Sequence, residues 1–195
     1  MTRFRRDPSR GYDRHAGEFM GARNARIGPP KVRAWAATLP RGAEVLELGC
    51  GHGTVSAALL DAGVSLFAID ASPRLVAAFH ERFPDVPVRC EPAETSLFFG
   101  RTFDAAIAWG LLFLLDAAAQ RRLLRNVAAA LRPGGELLFT APREALSWRD
   151  GITGRRSRSL GAPAYASLLH ACGLAVSFGD TDEGDNHYYR ARKPA

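Results

Sequence analysis

Between Val45 and Thr54 an apolar run carries Glu47 near its end and then opens into Gly49, Gly51 and Gly53 at alternate positions. A second carboxylate, Asp70, closes the next apolar run. A strand that stops at glycines leaves backbone N–H groups unshielded and facing the N-terminus of the following helix, the usual setting of a nucleotide-binding turn. The dinucleotide pattern G-x-G-x-x-G would need glycine where Thr54 stands. Glu47, two residues before the first glycine, would repel a pyrophosphate and attract a ligand bearing an ammonium group. Asp70 can accept two neighbouring hydroxyls at once, which an amide cannot do. Its bland alternative is to cap the next helix, a task open equally to Ser72.

These residues need a frame that brings strand ends together. From residue 44 onward the pattern alternates strand and helix, the signature of a parallel sheet covered on both faces. Strands are expected at Glu44–Leu48, Leu66–Ile69, Val86–Cys90, Phe103–Trp109, Glu136–Thr140, Ala175–Asp180 and His187–Ala191. Helices are expected at Thr54–Ala62, from Pro73 to Arg82, at Gln120–Leu131 and at Pro163–Cys172. The segment Ala141–Gly161, rich in Gly, Arg and Ser, is expected to be irregular. In such a sheet, ligands bind beyond the carboxyl ends of the strands. That places Glu47–Gly53, Asp70, Cys90–Glu94 and Trp109–Leu112 around one cleft.

Composition bounds the rest. The chain has 195 residues, 47% of them hydrophobic and 24% charged, as expected of one soluble globular domain. Its longest apolar run, Ala105–Leu115, is shorter than the ~20 residues of a membrane helix. The start lacks the apolar stretch of a secretory signal. Cys50, Cys90 and Cys172 are scattered and without metal spacing, which fits reduced thiols in a cytoplasmic protein with no bound metal. The net charge of +6 resides in residues 1–33, where nine basic residues face three acidic ones. Such an arm can touch nucleic acid or an anionic substrate, or be only a solvated tail.

The Glu47–Gly53 segment resembles motif I of the class I S-adenosylmethionine-dependent methyltransferases. Asp70 stands where that family has its acidic ribose-binding residue. Phe103-Asp104-Ala105-Ala106-Ile107-Ala108 resembles the family's F-D-x-V strand, and Leu131-Arg132-Pro133-Gly134-Gly135-Glu136-Leu137-Leu138 its L-x-P-G-G motif. The C-terminal part is similar to a bacterial small-molecule subgroup. The resemblance implies a doubly wound, seven-stranded, mostly parallel α/β sheet, Rossmann-like, with an antiparallel C-terminal strand. It divides the chain into a basic arm and lid, residues 1–35, and a methyltransferase domain, residues 36–195.

The implied activity is in-line methyl transfer from S-adenosylmethionine to a small metabolite or natural product, leaving S-adenosylhomocysteine. Expected at the cofactor are Glu47 on the ammonium, the Gly49, Gly51 and Gly53 backbone, Asp70 on the ribose, Ala93 and Glu94 on adenine, and Trp109. The family often has an acid before that alanine; here Pro92 leaves Glu91, Glu94 or backbone as the adenine reader. Relatives often carry a histidine after the fourth strand, and Trp109-Gly110-Leu111 has none. His187, beside Asp180, Asp182, Glu183 and Asp185, is then the candidate base, or else simply pairs across its hairpin. Tyr12 is the lid residue of choice. Leu112, Phe113, Trp148, Asp185 and Tyr188 are the candidate acceptor wall.

No N-P-P-Y or D-P-P-Y occurs, which argues against amino-group methylation of DNA bases or glutamine, and no Pro-Cys pair, which argues against cytosine C5 methylation; a small molecule is left as the default partner of a monomer or homodimer. Three other readings stay open: methylation of RNA or protein aided by the basic arm, a non-catalytic cofactor-binding module, and a nicotinamide oxidoreductase, the last disfavoured by Thr54 and Glu47.

Overall fold

A computed structural model describes residues 7–22 and 27–195. The first element is helix α1 (Ala16–Ala22), followed by α2 (Pro29–Ala36). Strand β1 (Glu44–Leu48), helix α3 (Ser56–Asp61), β2 (Ser65–Asp70), α4 (Pro73–Arg82) and β3 (Val88–Cys90) make the first half of the sheet. β4 (Phe103–Ala108), α5 (Ala117–Ala130), β5 (Leu131–Thr140), the pair β6 (Ala145–Arg149) and β7 (Arg156–Leu160), α6 (Ala162–Ala171), β8 (Ala175–Thr181) and β9 (His187–Arg192) complete the chain. The main sheet has seven strands in the order β3-β2-β1-β4-β5-β9-β8. Only β9 runs against its neighbours, pairing antiparallel with both β5 and β8. The chain therefore reverses its winding between β1 and β4, and their carboxyl ends frame a crevice.

Local sequence accounts for the elements that aim at this crevice. Ser72 ends β2's exit loop and caps α4, its hydroxyl accepting the Leu75 N–H at 3.2 Å, with Pro73 preset for the first turn. Asp116 does the same for α5 through the Ala119 N–H at 2.8 Å. Leu123, Leu124 and Val127 turn one stripe of α5 into the core with Phe103, Phe139, Tyr165 and Tyr189. Phe139 and Tyr189 stack face to face at 4.6 Å. On the opposite face Val32 and Trp35 of α2 pack with Val45, Leu59, Ala68 and Ile107, so α2 is part of the sheet's cover.

Residues 141–161 differ from expectation. They hold a two-stranded hairpin, with Ala145 opposite Leu160 and Arg149 opposite Arg156. The inward positions of β7 are Ser157 and Ser159, both buried, and Ser159 donates its hydroxyl proton to the Pro142 carbonyl at 2.6 Å. A strand whose buried face is hydroxyl rather than apolar carries no hydrophobic alternation, and its period-two pattern is invisible to a hydropathy reading. β5 also begins earlier than expected, at Leu131, with a register shift between Phe103 and Ala105 on its partner.

Gly135 sits inside that irregularity. A Cβ there would lie 2.9 Å from the Arg132 carbonyl oxygen and 3.0 Å from that of Asp104. Backbone atoms cannot yield as a flexible side chain can. Gly135→Ala should therefore lower stability by about 1–3 kcal/mol in urea unfolding. A variant as stable as the parent would show that β4 and β5 part at no cost.

Candidate active site

The turn after β1 is built on positive φ. Gly49, Gly51 and Gly53 adopt φ of 70°, 57° and 89°, a region that favours glycine. Space matters as well. A Cβ on Gly49 would meet the Leu111 side chain at 3.1 Å, and one on Gly51 the Phe19 ring at 3.1 Å. Both glycines line a cavity. Gly53 does not: a Cβ there would meet Phe83 at 2.3 Å and Phe79 at 3.3 Å, so this glycine lets the turn pack on α4.

Asp70 closes the cavity floor. Its Oδ2 accepts the Gly51 N–H at 2.9 Å and its Oδ1 the Ser72 N–H at 2.8 Å. Burial raises its pKa, and bonds from backbone amides oppose that rise. Around the same space stand Ala93, Glu94, Trp109, Leu111, Leu114 and Leu115. Glu47 lies beneath the turn rather than on the cavity wall, accepting the Ser56 hydroxyl at 2.7 Å. Burial pushes its carboxyl up to about 8, with the Ser56 bond opposing and the Asp70 charge adding to the rise.

Residues 7–22 form a strap across the mouth. Pro8, Ser9, Arg10, Tyr12 and Phe19 all line the cavity. Asp13 Oδ1 accepts both the Ser72 hydroxyl at 2.8 Å and the Arg74 N–H at 3.0 Å, a carboxylate placed on the N-terminus of α4. Arg10 pairs with Asp116 at 3.7 Å. On the other side Asp7 pairs with Arg155 at 3.1 Å, and the Tyr12 hydroxyl donates to Asp150 Oδ2 at 2.9 Å, tying the strap to the β6–β7 loop. Phe19 packs edge-on against Tyr12 at 5.2 Å.

A second cavity of about 230 Å³ adjoins the first, sharing Tyr12, Phe19, Trp109 and Gly110. Its remaining lining is Ala22, Phe113, Asp150, Ile152 and Asn186.

The structure thus gathers Tyr12, Gly49, Gly51, Asp70, Ala93, Glu94 and Trp109 at one cavity and Phe113 at the next. Other expected residues stand elsewhere. Leu112 is fully buried in the core, and its neighbour Leu111 takes the cavity position. Trp148 stands outside both linings and packs against Phe113 at 5.5 Å. Tyr188 is buried between Trp109, whose Nε1 donates to its hydroxyl at 2.9 Å, and Asp182, which accepts from it at 2.7 Å. Burial and the Asp182 carboxylate raise its pKa, so it is a fixed neutral link.

Asp185 is exposed, at φ 56°, and lines neither cavity. His187 is half-buried at the start of β9, opposite Thr181, with its carbonyl accepting the Ala141 N–H at 3.2 Å. It borders neither cavity; Asn186, one residue earlier, lines the second. Phe19, Asp150 and Asn186 escaped the sequence reading. Phe19 alone had a signal, an aromatic four residues after polar His15 and next to Glu18 in a segment already suspected of closing over the cleft. The side chain of Asp180 lies outside the described residues.

Residues 45–135 match a family model described as a methyltransferase domain. An uncharacterized methyltransferase of Mycobacterium bovis is 29% identical over 151 residues, covering 76% of this chain and 59% of its own length. Demethylmenaquinone methyltransferase of Paenarthrobacter aurescens is 33% identical over 132 residues, 66% of this chain and 50% of its own. The chain thus spans between half and three-fifths of these relatives. Among solved structures, 1,6-didemethyltoxoflavin-N1-methyltransferase of Burkholderia thailandensis, crystallised with 1,6-didemethyltoxoflavin and S-adenosylhomocysteine, superposes with a TM-score of 0.72 at 23% identity. That match covers 95% of this chain and 85% of the other. The fold and the glycine turn define a Rossmann-like methyltransferase domain. The match over residues 45–135 supports a class I S-adenosylmethionine-dependent methyltransferase domain in this chain.

Glu47 provides a test of the site's electrostatics. A carboxyl raised in the folded state binds a proton that the unfolded chain releases, so stability is lost as pH climbs from about 4.5 towards about 8. The melting temperature of the ligand-free protein should fall across that window. Glu47→Gln, which keeps the acceptor for Ser56, should remove most of the slope, a difference of order a few kcal/mol between its ends. Parallel profiles for the two proteins would mean that Glu47 is ionised throughout.

Proposed function

We propose that the protein transfers the methyl group of S-adenosylmethionine to a small-molecule acceptor, in the cytoplasm. The observation that carries this reading is the half-buried Asp70 carboxylate on a glycine turn, lining a cavity that adjoins a second with aromatic walls. The residues fit the cofactor's parts. In this reading Asp70 takes the ribose hydroxyls, Ala93 and Glu94 the adenine, and the Cβ-free backbone of Gly49 and Gly51 the methionine end. Glu47 lies beneath the turn with its proton held in the ligand-free state, and an ammonium group bound above it would favour loss of that proton.

The cofactor supplies an electrophilic methyl on a sulfonium. The protein's part is to hold the acceptor in line with it, which accounts for much of the acceleration in such displacements. Trp109 and Gly110 stand at the junction of the two cavities, and the strap residues Tyr12 and Phe19 roof both. The modest size of the second cavity, about 230 Å³, favours a small acceptor over RNA or a folded protein.

Binding of S-adenosylhomocysteine is the direct test. Asp70→Ala should weaken it by about 1–3 kcal/mol in calorimetry through loss of charge-assisted hydrogen bonds. Equal affinity in both proteins would remove Asp70 from the ribose. Methyl label from S-adenosylmethionine, supplied with a fractionated lysate, should enter the small-molecule fraction; label confined to RNA or protein would overturn the choice of acceptor.

A further inference from the structure

The polar groups of the second cavity are unequal in kind. Its side-chain donors are already committed within the protein. The Trp109 Nε1–H is given to Tyr188, the Tyr12 hydroxyl to Asp150, and the Asn186 Nδ2 to both oxygens of Asp182, at 2.9 and 3.1 Å. The Gly110 N–H is given to the Thr140 hydroxyl at 2.8 Å. Acceptors remain. Asp150 Oδ1 is filled by the N–H groups of Ile152 and Thr153 and by the Thr153 hydroxyl, but Oδ2 receives Tyr12 alone and has capacity for more. Asn186 has only its amide oxygen left. Among the described lining residues Asp150 bears the single formal charge, and the walls are Phe19, Trp109, Phe113 and Ile152.

A lining that offers acceptors, one carboxylate and aromatic faces suits a ligand that donates hydrogen bonds and carries positive charge on an apolar body. A carboxylate or phosphate would meet no uncommitted side-chain donor among the described lining residues and a like charge in Asp150. We infer that the acceptor is a primary or secondary amine on an apolar or aromatic body, anchored by Asp150. The inference rests on the reading of the first cavity as the cofactor site.

Charge conservation gives the anchor a catalytic value. The bound ammonium gives one proton to water. The nitrogen lone pair then forms the N–C bond as the C–S bond breaks, and that bond's electron pair stays on sulfur. The positive charge passes from sulfur to nitrogen, where the Asp150 carboxylate faces it, and the methylated ammonium later sheds its proton to solvent. No separate base is required, in keeping with a lining that holds no histidine, lysine or cysteine among the described residues.

The test uses three probes sharing one body: 2-phenylethylamine, 2-phenylethanol and phenylacetate, titrated by calorimetry into the protein saturated with S-adenosylhomocysteine. The amine should bind about ten-fold more tightly than the alcohol, the expected scale of a charge-assisted hydrogen bond, and phenylacetate more weakly than either. Asp150→Asn, which keeps an oxygen for the turn amides, should bring the amine to the level of the alcohol and leave the alcohol unchanged. Tyr12→Phe, which keeps the charge, should preserve the preference.

An alcohol or acid that binds as well as the amine overturns the inference, as does an amine preference that survives Asp150→Asn. Because the comparison on the unaltered protein decides alone, misfolding of a variant leaves it testable. Failure of S-adenosylhomocysteine to bind would instead strike the cofactor reading, and the same three titrations without it would still test Asp150.

Discussion

The carboxylate of Asp70, half-buried at the end of β2, is shared between the Gly51 amide of the glycine turn and the Ser72 amide that leads into α4. Three pieces of chain meet there, and a charge withdrawn from water needs such partners to persist. The Ile69 carbonyl beside it accepts the Gly49 and Cys50 N–H groups at 2.8 and 3.1 Å, so the turn is stitched to β2 on both sides. Without this junction the glycine backbone would have no fixed position over the sheet. The order of strands only brings the parts near one another; the carboxylate sets their distances.

From the junction the site grows outward in one direction. Ser72 donates its hydroxyl proton to Asp13 while accepting the Leu75 N–H, so one side chain both starts α4 and holds the strap. The strap then reaches the β6–β7 loop through Tyr12 and Asp7, and Gly11 lies close enough to Thr153 that a Cβ would touch it at 3.3 Å. The first cavity, the strap and the second cavity are therefore mechanically joined. A loop far along the chain, at residues 150–155, belongs to the same assembly as residues 7–13.

The sheet and the floor of the first cavity were legible because they rest on short-range chemistry. Glycines at alternate positions, Asp70 at a strand end and Pro133-Gly134-Gly135 each have local conformational consequences that a sequence displays. The acceptor side rests on facts that arise only in three dimensions. Leu111 and Leu112 are equally apolar, and the twist of one short turn after β4 decides which faces the cavity. β7 hides its strand periodicity behind buried serines. Asp150 is an ordinary loop aspartate until Tyr12, 138 positions earlier, donates to it. His187 and Asp185 attracted attention by residue type, whereas hairpin geometry turned their neighbour Asn186 to the cavity. The four carboxylates near His187 were a cue to charge, but Asp182 is already engaged by Tyr188 and Asn186.

Two of the strap's fastenings, Arg10 to Asp116 and Asp7 to Arg155, are ion pairs between substantially solvent-accessible side chains. Such pairs contribute little each and are weakened by dissolved salt. Ionic strength therefore acts on the roof of the cleft, loosening it, quite apart from any charge on the acceptor. For a basic protein the habitual inference from salt-sensitive turnover is a nucleic-acid substrate. In this molecule the same sensitivity follows from the hinge of its own cover, and it should be strongest in the rates at which cofactor enters and leaves.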